Sequence, residues 1–295
     1  MNHLRFLQLD VFCATPGGGN PLGVVFGAAD WSPGDMQAFA TWTNLVETTF
    51  VLAPTVPEAD YRLRIFTPHR EIAFAGHPSV GSAMAVLATG FAGARDGRLV
   101  QECGAGLLPL RVEDGDGPPV IAVRAPGAQV LRTGLDADPG LGALLAPLPA
   151  GVLPPAFVEG GRRWWIAEIG SEAALRGWHP DHAAIAALAH ASDSLGLCVF
   201  ARSDSEDYEL AVRAFPAGVG ITEDPASGAA NGLIGAWLAH AEPDGPLARG
   251  YRVSQGREIG RDARMRVAID GDGEVWVGGQ AHVVVDGELA WPVAS

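Results

Sequence analysis

At 295 residues the chain has room for two domains of roughly 150 residues each. A formal charge of −14 argues against nucleic acid and anionic membrane surfaces as partners, because both are bound through a basic face. With 48% hydrophobic and 18% charged residues and no low-complexity tract, the composition is that of a globular protein. No run reaches the ~18 apolar residues of a membrane-spanning helix, and Met1-Asn2-His3-Leu4-Arg5-Phe6 leads directly into strand-like sequence, so neither a membrane span nor a signal peptide is expected. Three widely separated cysteines, Cys13, Cys103 and Cys198, fit free thiols in a reduced, cytoplasmic protein.

Residues 4–12 alternate as a strand, Pro16-Gly17-Gly18-Gly19-Asn20-Pro21 turns the chain, and 22–26 reads as a second strand. Ser32-Pro33-Gly34-Asp35 is a helix start, with Ser at the N-cap and Pro at the first position, and the helix runs to about Leu45. Strands follow at 48–52 and 61–66, then a helix of small residues at about 78–90, then strands at 98–102, 107–112 and 119–124. Asp-Gly-Asp-Gly-Pro at 114–118 reads as a linker. Beyond an apolar run at 143–158 that four prolines interrupt, strands are expected at 153–158 and 163–167 and helices at 171–177 and 181–191. Strands at 195–201 and 208–214 lead to a second small-residue helix, about 225–240, and short strands at 251–255, 264–269, 274–277 and 282–285 close the chain.

The two small-residue helices begin alike. His77-Pro78-Ser79-Val80-Gly81-Ser82-Ala83 and Asp224-Pro225-Ala226-Ser227-Gly228-Ala229-Ala230 match at a constant offset of 147 residues, pairing Pro78 with Pro225, Gly81 with Gly228 and Ala83 with Ala230. That period is too long for a solenoid and points to two similar halves. His77 and Asp224 are the expected N-caps, with Pro at N1. Two helix starts facing one another would converge their unbonded N–H groups on an anion. Gly81, Gly228, Gly232 and Gly235 would weaken exposed helices and make sense where a sheet wraps closely around a buried one.

Longer motifs then carry a resemblance. Asn44-Leu45-Val46-Glu47-Thr48-Thr49-Phe50-Val51 is similar to N-L-S-E-T-T-F-V. Arg64-Ile65-Phe66-Thr67-Pro68 with Phe74-Ala75-Gly76-His77-Pro78 is similar to R-I-F-T-P…F-A-G-H-P, and Glu223-Asp224-Pro225-Ala226-Ser227-Gly228-Ala229-Ala230-Asn231-Gly232 to E-D-P-A-T-G-S-A-N-G. Gly19-Asn20-Pro21 and Val277-Gly278-Gly279 add shorter matches. Across nearly its whole length the chain resembles the phenazine-biosynthesis isomerase (PhzF-like) family, which has the diaminopimelate-epimerase fold. The resemblance implies an α+β chain of two pseudo-symmetric domains, each a curved, mostly antiparallel sheet wrapped around a central helix. The expected division is 1–118, completed by 279–295, and 119–278. It implies a cofactor-independent isomerase for a small anionic substrate, with Glu47 moving the proton. His77, Asp224, Gly76, Ser79, Ser227, Gly228, Ala229 and Asn20 would bind the substrate. No metal is implied, and a homodimer is compatible with the resemblance.

Read without the motif, Glu47 is a solvated junction residue; its apolar neighbours Leu45, Val46, Phe50 and Val51 favour a partly buried acid or base instead. Epimerases of this fold carry a thiol at each helix start, whereas this chain has Gly76-His77 and Glu223-Asp224 there. Cys103-Gly104-Ala105-Gly106 only mimics such a thiol motif, since a strand follows it. A single carboxylate therefore suits a double-bond shift better than two-thiol racemisation. An epimerase with another second base, or a binding protein on the same fold, are the alternatives. Val46 and Ala229 replace family serines and point away from the phenazine precursor as substrate. His179 and His182, around Pro180-Asp181, read as a turn and helix cap, not a metal site.

Overall fold

Alternation sets the first strand. Strand β1 (His3–Val11) turns Leu7, Leu9 and Val11 inward, each at most 1% exposed. The structure is a computed structural model and describes residues 3–115 and 117–292. The chain divides into two units. The first runs to Arg124 and resumes at Gly278, and the second is Ala125–Val277.

The first unit continues through β2 (Asn20–Phe26), α1 (Pro33–Thr43), β3 (Glu47–Leu52), β4 (Tyr61–Phe66), β5 (Glu71–Ile72), α2 (Gly76–Thr89), β6 (Arg98–Cys103), β7 (Gly106–Gly115) and β8 (Gly117–Arg124). Pairing runs β1–β2 antiparallel, β2–β3 parallel, β3–β4 antiparallel, β4–β6 parallel and β6–β7 antiparallel. The stretch expected to be a linker turns β7 into β8, with Gly115 opposite Gly117; Asp116 lies outside the described residues. Gly and Asp serve hairpin turns as readily as linkers, so composition could not separate the two.

The second unit contains β9 (Gln129–Thr133), α3 (Pro139–Leu145), β10 (Ala156–Gly160), β11 (Arg162–Glu168), α4 (Glu172–Gly177), α5 (His182–Ala191), β12 (Gly196–Arg202), β13 (Leu210–Phe215), α6 (Gly228–Ala241), β14 (Gly250–Gln255) and β15 (Ala263–Ile269). From β10 to β15 the pairings run antiparallel, parallel, antiparallel, parallel, antiparallel. That is the order found from β1 to β7 once β5 is set aside. The repeat seen in two helix starts therefore extends over six strands of each unit. Strand β16 (Val275–Gly279) spans the division, and β17 (Ala281–Ala290) pairs antiparallel with β1.

Each sheet has a helix inside and helices outside. Helix α2 touches β1, β2, β3, β4, β8 and β17, and α6 touches β10, β11 and β15. On the outer face of the first unit, α1 brings Met36 and Phe39 onto Val25, Phe50 and Phe66. In the second, α3 and α5 cover Trp165, Leu197, Val199 and Phe215. Burying one such side chain fully contributes about 1.5–3 kcal/mol. Helix α3 escaped the sequence reading although Asp138 and Pro139 supply a cap and a first-position proline; the Asp138 side chain accepts the Gly140 N–H.

The inner glycines explain the small-residue helices. A Cβ on Gly81 would lie 2.5 Å from Leu22 Cδ2 and 2.6 Å from Val11 Cγ2, and one on Gly235 would lie 2.9 Å from Val267 Cγ1. Gly81→Ala is expected to lose about 1–3 kcal/mol to overpacking, less the roughly 1 kcal/mol that alanine gains in helix propensity. Urea unfolding of the two proteins measures the balance, and a variant at least as stable as wild type would mean that the sheet yields here.

Both helix starts differ from expectation. In α2 the N-cap is Ala75, which has no side-chain bond to offer, so His77 sits in the first turn and not at the cap. Helix α6 starts at Gly228 with Ser227 as N-cap, its side chain accepting the Ala230 N–H. Asp224 is not the cap. Its N–H donates to Ala214 O in a bridge to β13, and its carbonyl accepts Gln255 Nε2 at 2.6 Å. The sheet anchors residue 224 alone, the chain bends at 225–226 with the Ala226 N–H donating to the Asp224 side chain, and the helix begins after that bend.

Candidate active site

In the first unit, Glu47 opens β3, and His77 reaches it from the first turn of α2. His77 Nε2 lies 3.4 Å from Glu47 Oε2, and the side chains are 7% and 12% exposed. His77 also hydrogen-bonds the Pro21 backbone, while burial, the larger effect, pushes its imidazole down to about 3. The ring is therefore neutral near pH 7. Nε2 has no hydrogen-bond partner, so Nδ1 is the nitrogen that donates to the Pro21 carbonyl. A bare imidazole lone pair then faces a carboxyl oxygen. Two acceptors at this distance repel unless a proton lies between them, so the geometry suits a pair that shares one.

Asn20, fully buried at the start of β2, immediately precedes Pro21. The N–H groups of Gly76 and His77 fall in the first turn of α2 and have no intrahelical acceptor. Ser79 is different. Its N–H and its hydroxyl both donate to Ala75 O, and its oxygen accepts Gln101 Nε2 at 3.1 Å, so its polar groups are engaged within the unit. Tyr61 donates in turn to Gln101 Oε1. The start of α2 is thus braced by a buried chain of hydrogen bonds that sequence reasoning did not foresee.

In the second unit, Asp224 is half-buried. Burial raises its carboxyl to about 6 against hydrogen bonds from the Ala226 N–H and the Ser227 side chain, and the neighbouring Glu223 charge raises it further. Gln255 Oε1 accepts from Asn231 Nδ2 at 2.9 Å and from the Ser227 N–H at 3.4 Å. Around this helix start the N–H groups of Ala226 and Ser227 are thus engaged, whereas Gly228 and Ala229 occupy the first positions of α6. Glu223 forms a two-point pair with Arg213, Nε to Oε1 and Nη2 to Oε2 both at 2.9 Å. A signal for that pair was present: Arg213 interrupts the otherwise apolar strand Leu210–Phe215.

Other sequence readings find their places. Cys103 pairs with Gly106 across the β6–β7 hairpin and starts no helix. His179 Nδ1 lies 3.0 Å from Gly177 O, and Asp181 caps α5 by accepting the N–H groups of Ala183 and Ala184. Among the described residues, one group of three metal-ligating side chains lies together, Asp270, Asp272 and Glu274 in a surface turn. No helix there is long and apolar enough to cross a membrane.

The fold is thus α+β, with a buried histidine held against a carboxyl at the start of the sheet-wrapped helix of the first unit. The chain belongs to the phenazine biosynthesis-like protein family (PhzC-PhzF), whose model matches residues 9–287. It is 34% identical over 273 residues to trans-2,3-dihydro-3-hydroxyanthranilate isomerase of Pseudomonas aeruginosa, with 92% of each chain covered. It is also 34% identical over 296 residues to "Antisense-enhancing sequence 1" of Schizosaccharomyces pombe, covering 98% of this chain and 99% of that one. Among solved structures, the PhzF-family phenazine biosynthesis protein of Bacillus anthracis superposes with a TM-score of 0.81 at 26% identity, covering 99% of this chain and all of that one.

Proposed function

We propose that the chain is an isomerase that moves a proton on a small, carboxylate-bearing metabolite, with Glu47 as the acid and base and no cofactor. The observation that carries this reading is the buried Glu47–His77 pair, with Nε2 bare and one proton to share. In its acid form Glu47 delivers a proton to one carbon of an unsaturated substrate. The carboxylate left behind takes a proton from another, so the double bond shifts and the pair returns to its starting state. His77 keeps the acid form of Glu47 supplied with an acceptor while the site is empty. In the first unit, Asn20 and the N–H groups of Gly76 and His77 bind the substrate's polar groups beside Glu47; in the second, Asp224 and the N–H groups of Gly228 and Ala229 offer polar groups of the same kind. Family membership and the relatives named isomerases support the reaction class. The three free thiols support a reducing, cytoplasmic setting.

The test is NMR in deuterated water with unsaturated and dihydro-aromatic carboxylic acids selected by thermal shift. Deuterium entering a new carbon as the double bond moves is the expected result. Deuterium at a retained stereocentre, with loss of optical activity, would make the chain an epimerase. Binding without any exchange would leave a binding protein on an enzyme's fold.

Substrate choice is expected to depend on two positions where family serines are replaced. Val46 is half-buried beside Glu47, and Ala229 is exposed, so a hydroxyl fits at 229 without overpacking. Each restored hydroxyl contributes about 0.5–1.5 kcal/mol to a bound polar group. Val46→Ser with Ala229→Ser should therefore raise kcat/KM for a dihydro-hydroxyanthranilate-type acid by roughly one to two orders of magnitude over wild type. A ratio near one in a folded double variant would place specificity elsewhere.

A further inference from the structure

Asp10, near the end of β1, is 4% exposed, yet its neighbours explain why a carboxylate is there. Its Oδ2 accepts the Gly17 N–H at 2.6 Å and the Gly19 N–H at 3.0 Å. Hydrogen bonds from backbone N–H groups to a carboxylate are roughly twice as strong as neutral ones. The backbone of Asp10 is tied as well, because Cys13 Sγ donates to its carbonyl at 3.2 Å. Gly19 has no room for a side chain: a Cβ would lie 2.2 Å from Val11 O and 3.0 Å from Asp10 Oδ1. The glycine loop is thus drawn tightly onto Asp10, and the residues that leave it are Asn20 and Pro21. In the β1–β2 register Pro21 stands directly opposite Asp10. The Pro21 backbone is also the partner of the His77 ring.

We infer that Asp10 is a positioning residue for the Glu47–His77 pair. By holding Gly17 and Gly19 it fixes the Pro21 carbonyl, and that carbonyl selects the His77 tautomer whose bare Nε2 faces Glu47. The order of contacts is Asp10 to the glycine loop, the loop to Pro21, Pro21 to His77, and His77 to Glu47, all within the first unit. Asp10 itself touches neither Glu47 nor His77 by ion pair or hydrogen bond among the described contacts. If the Pro21 carbonyl drifts, Nδ1 loses its acceptor. The proton of Glu47 then moves to Nε2 as the Nδ1 proton is released to water, which leaves a neutral Nε2–H ring donating to a Glu47 carboxylate. The pair then holds one proton where it held two, and Glu47 no longer holds the one it is to deliver.

The inference rests on the proposed role of Glu47 and His77, and the experiment separates the two. In the full chain labelled with 15N, long-range proton–nitrogen correlations report which ring nitrogen of His77 is protonated, with a His77→Asn sample identifying the signals. Wild type is expected to show Nδ1–H and a bare Nε2. Asp10→Asn keeps the shape but removes the charge, so the two glycine N–H groups that share Oδ2 are left with a neutral amide oxygen that binds them about half as strongly, and it should move the ring toward the Nε2–H form. Gly17→Ala is the second variant. It has open space around it but a φ of +100°, so it strains the loop, and with it the N–H that Asp10 holds, while residue 10 stays aspartate. It should shift the ring in the same direction if Asp10→Asn does not fold. With a substrate found by exchange, Asp10→Asn should lower kcat about tenfold and leave KM within about twofold, the pattern of a misplaced catalytic group. A folded Asp10→Asn protein with the wild-type ring pattern overturns the inference. If wild type exchanges no substrate, the isomerase reading fails, and the ring pattern alone still judges Asp10.

Discussion

Glu47→Gln is expected to lower turnover by about 10²–10⁴-fold, the usual contribution of a positioned acid or base, while the protein folds as before. Glutamine keeps the shape and offers an N–H toward His77 Nε2, which lies 3.4 Å from the present carboxyl oxygen. It therefore imitates the acid form of Glu47 in hydrogen bonding and removes only the proton that can leave. Stability should stay near wild type, because the buried lone pair of His77 keeps a donor. The measurement is exchange of substrate protons with deuterated water, alongside a thermal melt. Exchange at the wild-type rate from a folded variant would remove Glu47 from the mechanism. A large loss of stability would instead mean that the pair serves the fold first.

The motifs around Glu47, His77 and Asp224 were legible in the sequence because their spacing is local. The strand pattern and the returning C-terminal strand could be read from alternation and from the family resemblance. The contacts that set the site's details are not local. His77 was read as a cap because a polar residue before proline is the common cap pattern. Its actual place in the first turn depends on Gln101, a strand away, which fixes Ser79 and with it the start of α2. Asp224 was read the same way, but Gln255 holds its carbonyl and delays α6 to Gly228. Ser79 reads as a substrate group from its motif, and the sequence does not show that its hydroxyl is engaged by Ala75 and Gln101. Asp10 gave no signal at all, since one acid in an alternating strand looks solvated until the loop that covers it is folded.

The largest stability effect is expected at Arg213, which the sequence marks as an oddity and the structure makes a keystone for Asp224. Arg213 is 4% exposed. It meets Glu223 with two hydrogen bonds and donates through Nη1 to the carbonyls of Leu175 and Trp178. Arg213→Met keeps the apolar stem and removes the charge. Glu223 is then a buried carboxylate without its partner, and two carbonyls lose a donor. Breaking a buried pair from one side costs about 3–5 kcal/mol, which a urea titration reads as a lower midpoint. Arg213→Met with Glu223→Gln should regain much of the loss, since a neutral pair leaves no uncompensated charge. The same variants move Asp224. Its carboxyl stands at about 6 partly because Glu223 is charged beside it. Without Arg213 to offset that charge, the Asp224 carboxyl must rise further, so its protonated form persists to higher pH. In the double variant the neighbouring charge is gone, and the titration falls back below that of the single variant. Carbon NMR of the Asp224 carboxyl across pH 4–8 follows both shifts. If Arg213→Met leaves the Asp224 titration in place while stability drops, the ion pair supports the fold of the second unit and does not tune its carboxylate.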